Sequence, residues 1–180
     1  MVHITNVVFV AILFHLCCAK KIEMELQRIE QLEGNGFLTS QLRVTKYNRT
    51  TPVVTGTISY FEDMDNSYTF EMQCAYSPLG NNQFNEYPMN LKKQNFCDFI
   101  NTTYREYQHI WKKGSDWIQV GPKGLCPWPK GVYTFENFWV SDTSFIPPVV
   151  PPGLWRVRVV HTGPKKQRSV IQLFTKVWYS

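Results

Sequence analysis

Tyr68 to Tyr76 alternates without interruption, with Tyr68, Phe70, Met72, Cys74 and Tyr76 in one phase and Thr69, Glu71, Gln73 and Ala75 in the other. Successive side chains of a strand point to opposite faces, so a period of two describes a strand with one buried face. The same pattern recurs along the chain. Ile22 to Leu32 sets Ile22, Met24 and Leu26 against Glu23, Glu25 and Gln27. Phe37 to Tyr47 keeps Leu38, Leu42 and Val44 in phase, and Val53 to Phe61 does so with Val54, Ile58 and Tyr60. Trp155, Val157 and Val159 alternate with Arg156, Arg158 and Val160, and Val170 to Trp178 is the last such run. Gly34-Asn35-Gly36, Asn48-Arg49-Thr50, Asp63 to Ser67 and Thr162 to Ser169 supply turns between the runs. Apolar-alternating runs at hairpin spacing predict an all-β chain: an immunoglobulin-like antiparallel β-sandwich of about seven or eight strands.

Two segments depart from the pattern. Phe96, Phe99, Ile100, Tyr104, Tyr107 and Trp111 have helical spacing, so Gln94 to Trp111 is expected to form the one helix, covering an edge or an end of the sandwich. The loop Ser77 to Asn90, with Pro78, Gly80 and Pro88, precedes it. Cys126 to Gly153 opens on Cys126-Pro127-Trp128-Pro129 and runs through a short alternating strand. It ends in Pro147-Pro148-Val149-Val150-Pro151-Pro152-Gly153, a proline-stiffened turn.

The 180 residues are 43% apolar and 15% aromatic, enough for one domain with a proper core. Val7 to Phe14 is an apolar run followed by Cys17-Cys18-Ala19, which reads as a secretory leader over residues 1–19 and a single mature domain over residues 20–180. The run lacks the length, about 20 residues, of a membrane span. The leader carries no Asp, Glu, Lys or Arg, so the mature chain keeps the net charge of +5. Its cations, Lys92-Lys93, Lys112-Lys113 and Lys165-Lys166-Gln167-Arg168, are scattered over turns. A nucleic-acid binder would gather them on one face, so no nucleic-acid partner is expected. Transient contact with an anionic membrane surface stays open.

Three cysteines remain in the mature chain: Cys74, Cys97 and Cys126. The favoured pair is Cys97 with Cys126, a bond that would pin the helix to the loop before Gly131 and stabilise by roughly 3–4 kcal/mol in the chain-entropy model. Cys74 sits in the apolar phase of its strand and reads as a buried thiol; a reactive or intermolecular cysteine is the alternative. No C-x-x-C or paired-histidine spacing suggests zinc or another metal. No G-x-S-x-G elbow, glycine-rich phosphate loop or cofactor motif is present. A triad would have to use His109 or His161, so no catalytic residues and no cofactor are expected, and the chain is not read as an enzyme. Asn48 and Asn101 head glycosylation sequons, the first in a turn and the second inside the expected helix, where a glycan has to face out, so Asn48 is the favoured site.

Asn95-Phe96-Cys97-Asp98-Phe99-Ile100 before a helix, then Cys126-Pro127-Trp128-Pro129-Lys130-Gly131-Val132-Tyr133, resemble the second half of the lysosomal ganglioside activator protein. Pro152-Gly153-Leu154-Trp155-Arg156-Val157 and the basic hairpin near Lys165 fit the same pattern. That protein belongs to the ML, or lipid-recognition, β-sandwich class. A secreted chain of this length with these motifs is closer still to the insect CheB chemosensory proteins. The likeness covers about half the chain, from Asn95 to Trp178. The activator has more disulfides, and of these only Cys97–Cys126 carries over; Trp128 stands where it has another aromatic. The resemblance implies two sheets splayed apart around an apolar cup, with no covalent chemistry. It also implies a link to detection of cuticular hydrocarbon pheromones, alongside a receptor or degenerin-type channel.

The residues by themselves fit a solid core equally well, because two apolar faces normally interdigitate. The resemblance favours a cavity for an apolar small molecule such as a lipid, a fatty acid or a hydrocarbon. Candidates for its lining are Ile58, Phe70, Met72, Tyr133, Phe135, Trp155 and Val157. Candidates for its mouth are Trp128, Phe138, Trp139, Phe145 and Ile146, which lie in or near loops. The expected function is a secreted, non-enzymatic carrier or presenter of a chemosensory lipid. The alternatives are a protein-interaction modulator of a receptor or channel, and a lipid-presenting cofactor of a glycosidase.

Overall fold

The computed structural model describes residues 21–34 and 36–180; the leader expected over residues 1–19 lies outside them. Ten strands are formed among the described residues: β1 (Ile22–Gly34), β2 (Leu38–Ser40), β3 (Arg43–Lys46), β4 (Pro52–Tyr60), β5 (Thr69–Ser77), β6 (Asn85–Glu86), β7 (Leu91–Asn95), β8 (Gly131–Phe138), β9 (Gly153–Thr162) and β10 (Arg168–Tyr179). They build two antiparallel sheets. In the larger, β1, β10, β9 and β5 lie side by side, and β6 and β7 both pair with β5. In the smaller, β4 lies between β8 on one edge and β2 and β3 on the other. The chain is an all-β sandwich with one helical stretch.

That stretch, α1, runs over residues 96–112 as consecutive segments: Phe96–Phe99, Ile100–Tyr104 (a π turn), Arg105–Tyr107 and Gln108–Lys112 (3₁₀). It starts later than its apolar spacing predicts, because Gln94 and Asn95 are taken by β7, opposite Phe70 and Thr69. Inside it, Asn101 Nδ2 and Thr102 Oγ1 donate to the carbonyls of Cys97 and Asp98. Side chains that bond four residues back compete with the helical ladder, and the turn is wider there.

The strand expected over Phe37 to Tyr47 is split into β2 and β3. The reason lies on β4, where Gly56 has φ +120° and a Cβ would come within 2.3 Å of the Gln41 carbonyl oxygen. Only glycine lets the Gln41 backbone cross so closely. Beyond β8 the chain leaves the sheet at Phe138, and residues 139–152 form a strap across one end of the sandwich.

The faces follow from register. Phe70, Met72 and Cys74 on β5 stand opposite His161, Val159 and Val157 on β9, and these oppose Ser169, Ile171 and Leu173 on β10. This phase faces the smaller sheet, since His161 meets Tyr60 edge-on at 6.5 Å. The other phase of the large sheet is clad by long polar side chains. Arg158 Nε donates to Gln172 Oε1 and Gln172 Nε2 to Glu30 Oε1, while Arg28 and Arg156 lie over the rings of Phe174 and Phe84. This cladding leaves Gln172 and Phe174 buried on the outward side.

Candidate functional site: an apolar seam between two core clusters

The buried interior falls into two groups. The larger packs Phe37, Ile58, Tyr60, Phe70, Phe96, Tyr104, Trp128, Tyr133, Phe135 and Phe138 between the sheets and α1. Its rings meet mostly at tilted or edge-on angles, as with Tyr104 on Trp128 at 5.5 Å and 90°. The smaller group joins Ile22, Cys74, Trp155 and Val177 to Ile146 and Val150 of the strap.

Between them runs a band of inward-facing apolar side chains that stay only half-buried. On β9 the inward positions read Trp155 buried, Val157 and Val159 half-buried, His161 buried. On β10 Leu173 is half-buried between Ile171 and Thr175, which are buried; on β5 Met72 is half-buried between Phe70 and Cys74. Leu26 and Ile29 continue the band on β1, and Leu42 and Val44 face it from the smaller sheet. In a close-packed sandwich the middle of each inner face is its driest part. Here the middle keeps more solvent-reached area than either end.

The seam has defined ends. At one, Phe99 of α1 stacks flat on Phe70, with 3.7 Å between ring centroids. The helix is tied down there by the Cys97–Cys126 disulfide and by Asn101, whose amide bonds both Leu125 backbone groups. At the other end the strap is anchored on the large sheet. Thr143 Oγ1 donates to the Ile22 carbonyl, Tyr179 Oη to those of Pro148 and Val150, Trp155 Nε1 to Pro151 and Tyr76 Oη to Pro152. Toward α1 the strap is held by the half-exposed His109–Asp142 pair, at 3.1 Å, and by Phe145 against Tyr107.

The interior offers little to proton chemistry. Burial holds Tyr60 and Tyr104 protonated far above the usual phenol range. It pushes the Cys74 thiol up to about 11 and the His161 imidazole down to about 4, so both are neutral at pH 7. No group of three or more His, Cys, Asp or Glu capable of holding a metal occurs among the described residues.

The expected site residues are distributed unevenly along this arrangement. Met72 and Val157 are in the seam; Phe70 and Trp155 are buried at its two ends, and Ile58, Tyr133 and Phe135 are buried in the larger core group. Of the expected mouth residues, three are in the strap: Trp139 is 49% exposed, Phe145 is half-buried and Ile146 is buried. Trp128 and Phe138 are not at the rim: each is 2% exposed. Backbone bonds in both directions between Trp128 and Met64 turn the indole inward, and Trp111 stacks over Phe138 at 5.2 Å. The seam residues on β1 and β10, and Leu42 and Val44, were not singled out by sequence. Their apolar phase was visible, but it does not distinguish a packed side chain from one beside a space.

Clefts of about 610 Å³ and 400 Å³ open elsewhere. The first is polar, lined by Glu71, Gln73, Glu86, Asn90, Lys92 and Lys93 on the outside of the larger sheet. The second lies beside the strap, at Ile22, Asp142 and Ser144. Neither is between the layers. What lies there is solvent-reached area on single side chains.

Fold and seam together define a two-layer antiparallel β-sandwich with a band of half-buried apolar side chains between two core clusters. Residues 70–157, just under half of the chain, match a family described as "Protein of unknown function (DUF1091)". The match runs from β5 through α1, the disulfide and the strap into β9, and so spans the segments that bound the seam. No curated protein matches the chain.

Proposed function

We propose that the protein is a secreted, non-enzymatic binder of a single aliphatic chain, a fatty acid, lipid or hydrocarbon, held in the seam between the sheets. The observation that carries this reading is the half-buried state of Met72, Val157, Val159 and Leu173 at the centre of an inward-facing sheet. Each methylene removed from water contributes about 0.8 kcal/mol, so a chain of about 16 carbons gains on the order of 10 kcal/mol before the losses of association. No directional contact is needed for tight binding. Selectivity then rests on chain length and shape. The likeness of residues 95–178 to the lipid-recognition class, and within it to the CheB group, supports the same reading and adds a chemosensory role.

A second reading has its own observation. Leu79 is 83% exposed in the loop before β6, and Val149 is 77% exposed on the strap. Apolar side chains so placed suit surface contact with a receptor or channel, with the seam a packing remnant.

Native mass spectrometry of the full chain, secreted from lipid-containing cells, separates the two. A co-purified apolar molecule at one per chain is the expected result. Bare protein, whose tryptophan emission does not respond to added fatty acid or alkane, would overturn the lipid reading and favour the second.

A further inference from the structure

The two sequons are unlike in structure. Asn48 lies on the exposed turn between β3 and β4; its Oδ1 accepts from Thr50 N, Thr50 Oγ1 and Thr51 N. Its Nδ2 makes no hydrogen bond among the described residues. Asn101 is the reverse. Both hydrogens of its Nδ2 are used, toward the carbonyls of Cys97 at 2.8 Å and Leu125 at 3.1 Å, and its Oδ1 accepts from Leu125 N at 2.7 Å. Gly124 presses against it so closely that a Cβ there would come within 2.6 Å of Asn101 Oδ1. The Cys97–Cys126 disulfide closes over the same contact.

We infer that Asn48 is the glycan-bearing residue of the folded protein and that Asn101 is a structural clamp whose sequon stays unmodified. N-glycosylation joins the amide nitrogen to the anomeric carbon of a lipid-pyrophosphate-linked oligosaccharide. The nitrogen loses one hydrogen as a proton and the lipid pyrophosphate departs. At Asn48 the new bond points into solvent and leaves the three acceptor contacts of Oδ1 intact. At Asn101 it would remove one of two donated hydrogen bonds and place a sugar where the 121–126 loop meets α1. Chains modified there would not close the clamp or seat the disulfide loop, so they are depleted from the folded, exported population. A glycan on Asn48 stands next to Tyr47, which is 65% exposed, and screens that corner of the smaller sheet.

The inference rests on the secretory part of the reading above and not on lipid binding. The full chain is expressed in eukaryotic cells, and protein from the medium is deglycosylated enzymatically in heavy-oxygen water, which marks each formerly modified asparagine. The expected mark is at Asn48 alone. Thr50→Ala, which keeps the Asn48 side chain, removes the glycan; Thr103→Ala, which destroys the second sequon but spares the clamp, changes neither the glycan nor the melting temperature. Asn101→Asp keeps the Asn48 glycan and lowers the melting temperature. A mark at Asn101 in folded protein, or exported protein unmodified at Asn48, overturns the inference while leaving secretion intact. Chain retained inside the cell without a glycan overturns both.

Discussion

His161 sits on the inner face of β9 at the seam's aromatic end, with Phe70, Phe96 and Tyr60 around its ring. Its Nδ1 has no hydrogen-bond partner among the described residues, and burial pushes its pKa from 6.5 to about 4. Between those values the unfolded chain takes up a proton that the folded chain refuses. The folded state is therefore at full advantage above pH about 6.5 and loses it as pH falls toward 4, by about 3 kcal/mol in all. Urea denaturation at a series of pH values measures this slope. His161→Phe keeps a ring in the same aromatic nest, and the slope in that window should flatten; an unchanged slope would place the acid sensitivity elsewhere. In the sequence His161 stands next to the Thr162 to Ser169 turn, a position that does not announce a buried ring. Its burial comes from Phe96 at the start of α1 and Tyr60 of the smaller sheet, two elements far away along the chain.

At the scale of elements, most strands were legible because their amphipathic period is local. What was not legible came from partners distant in sequence. The split of β2 from β3 answers to Gly56 on β4, and the late start of α1 answers to β5 recruiting Gln94. The period also says which face a residue occupies but not how far away the opposite layer stands. That is why Met72 and Val157 carried the same signal as Phe70 and Trp155. The difference is testable by enlargement. Val157→Phe should shift stability by no more than about 0.5 kcal/mol, because the side chain is only half-buried, whereas Ile171→Phe in the packed region should lose about 1–3 kcal/mol. Denaturant midpoints for the two variants give the comparison. Equal losses would mean that the seam is as closely packed as the core.

For the whole molecule, the sheets draw together along β1, whose length lets it reach β2, β3 and β4 as well as its partner β10. The opposite side is walled by α1, and the strap lies over one end. The disulfide and the Asn101 clamp fix the wall, while the strap is fastened chiefly to the large sheet. A long apolar guest would enter where the strap meets α1, a side held by the half-exposed His109–Asp142 pair and the Tyr107–Phe145 contact. Such a guest makes no fixed polar contact inside, so its affinity must be read in methylenes. The decisive measurement is displacement of a fluorescent fatty probe from the full chain by saturated fatty acids of increasing length, repeated on Val157→Trp. The account predicts that affinity rises about fourfold per added methylene until the seam is full. It also predicts that the indole, which occupies the same space, abolishes binding while the protein stays folded. Affinity indifferent to chain length, or undiminished in Val157→Trp, would contradict it.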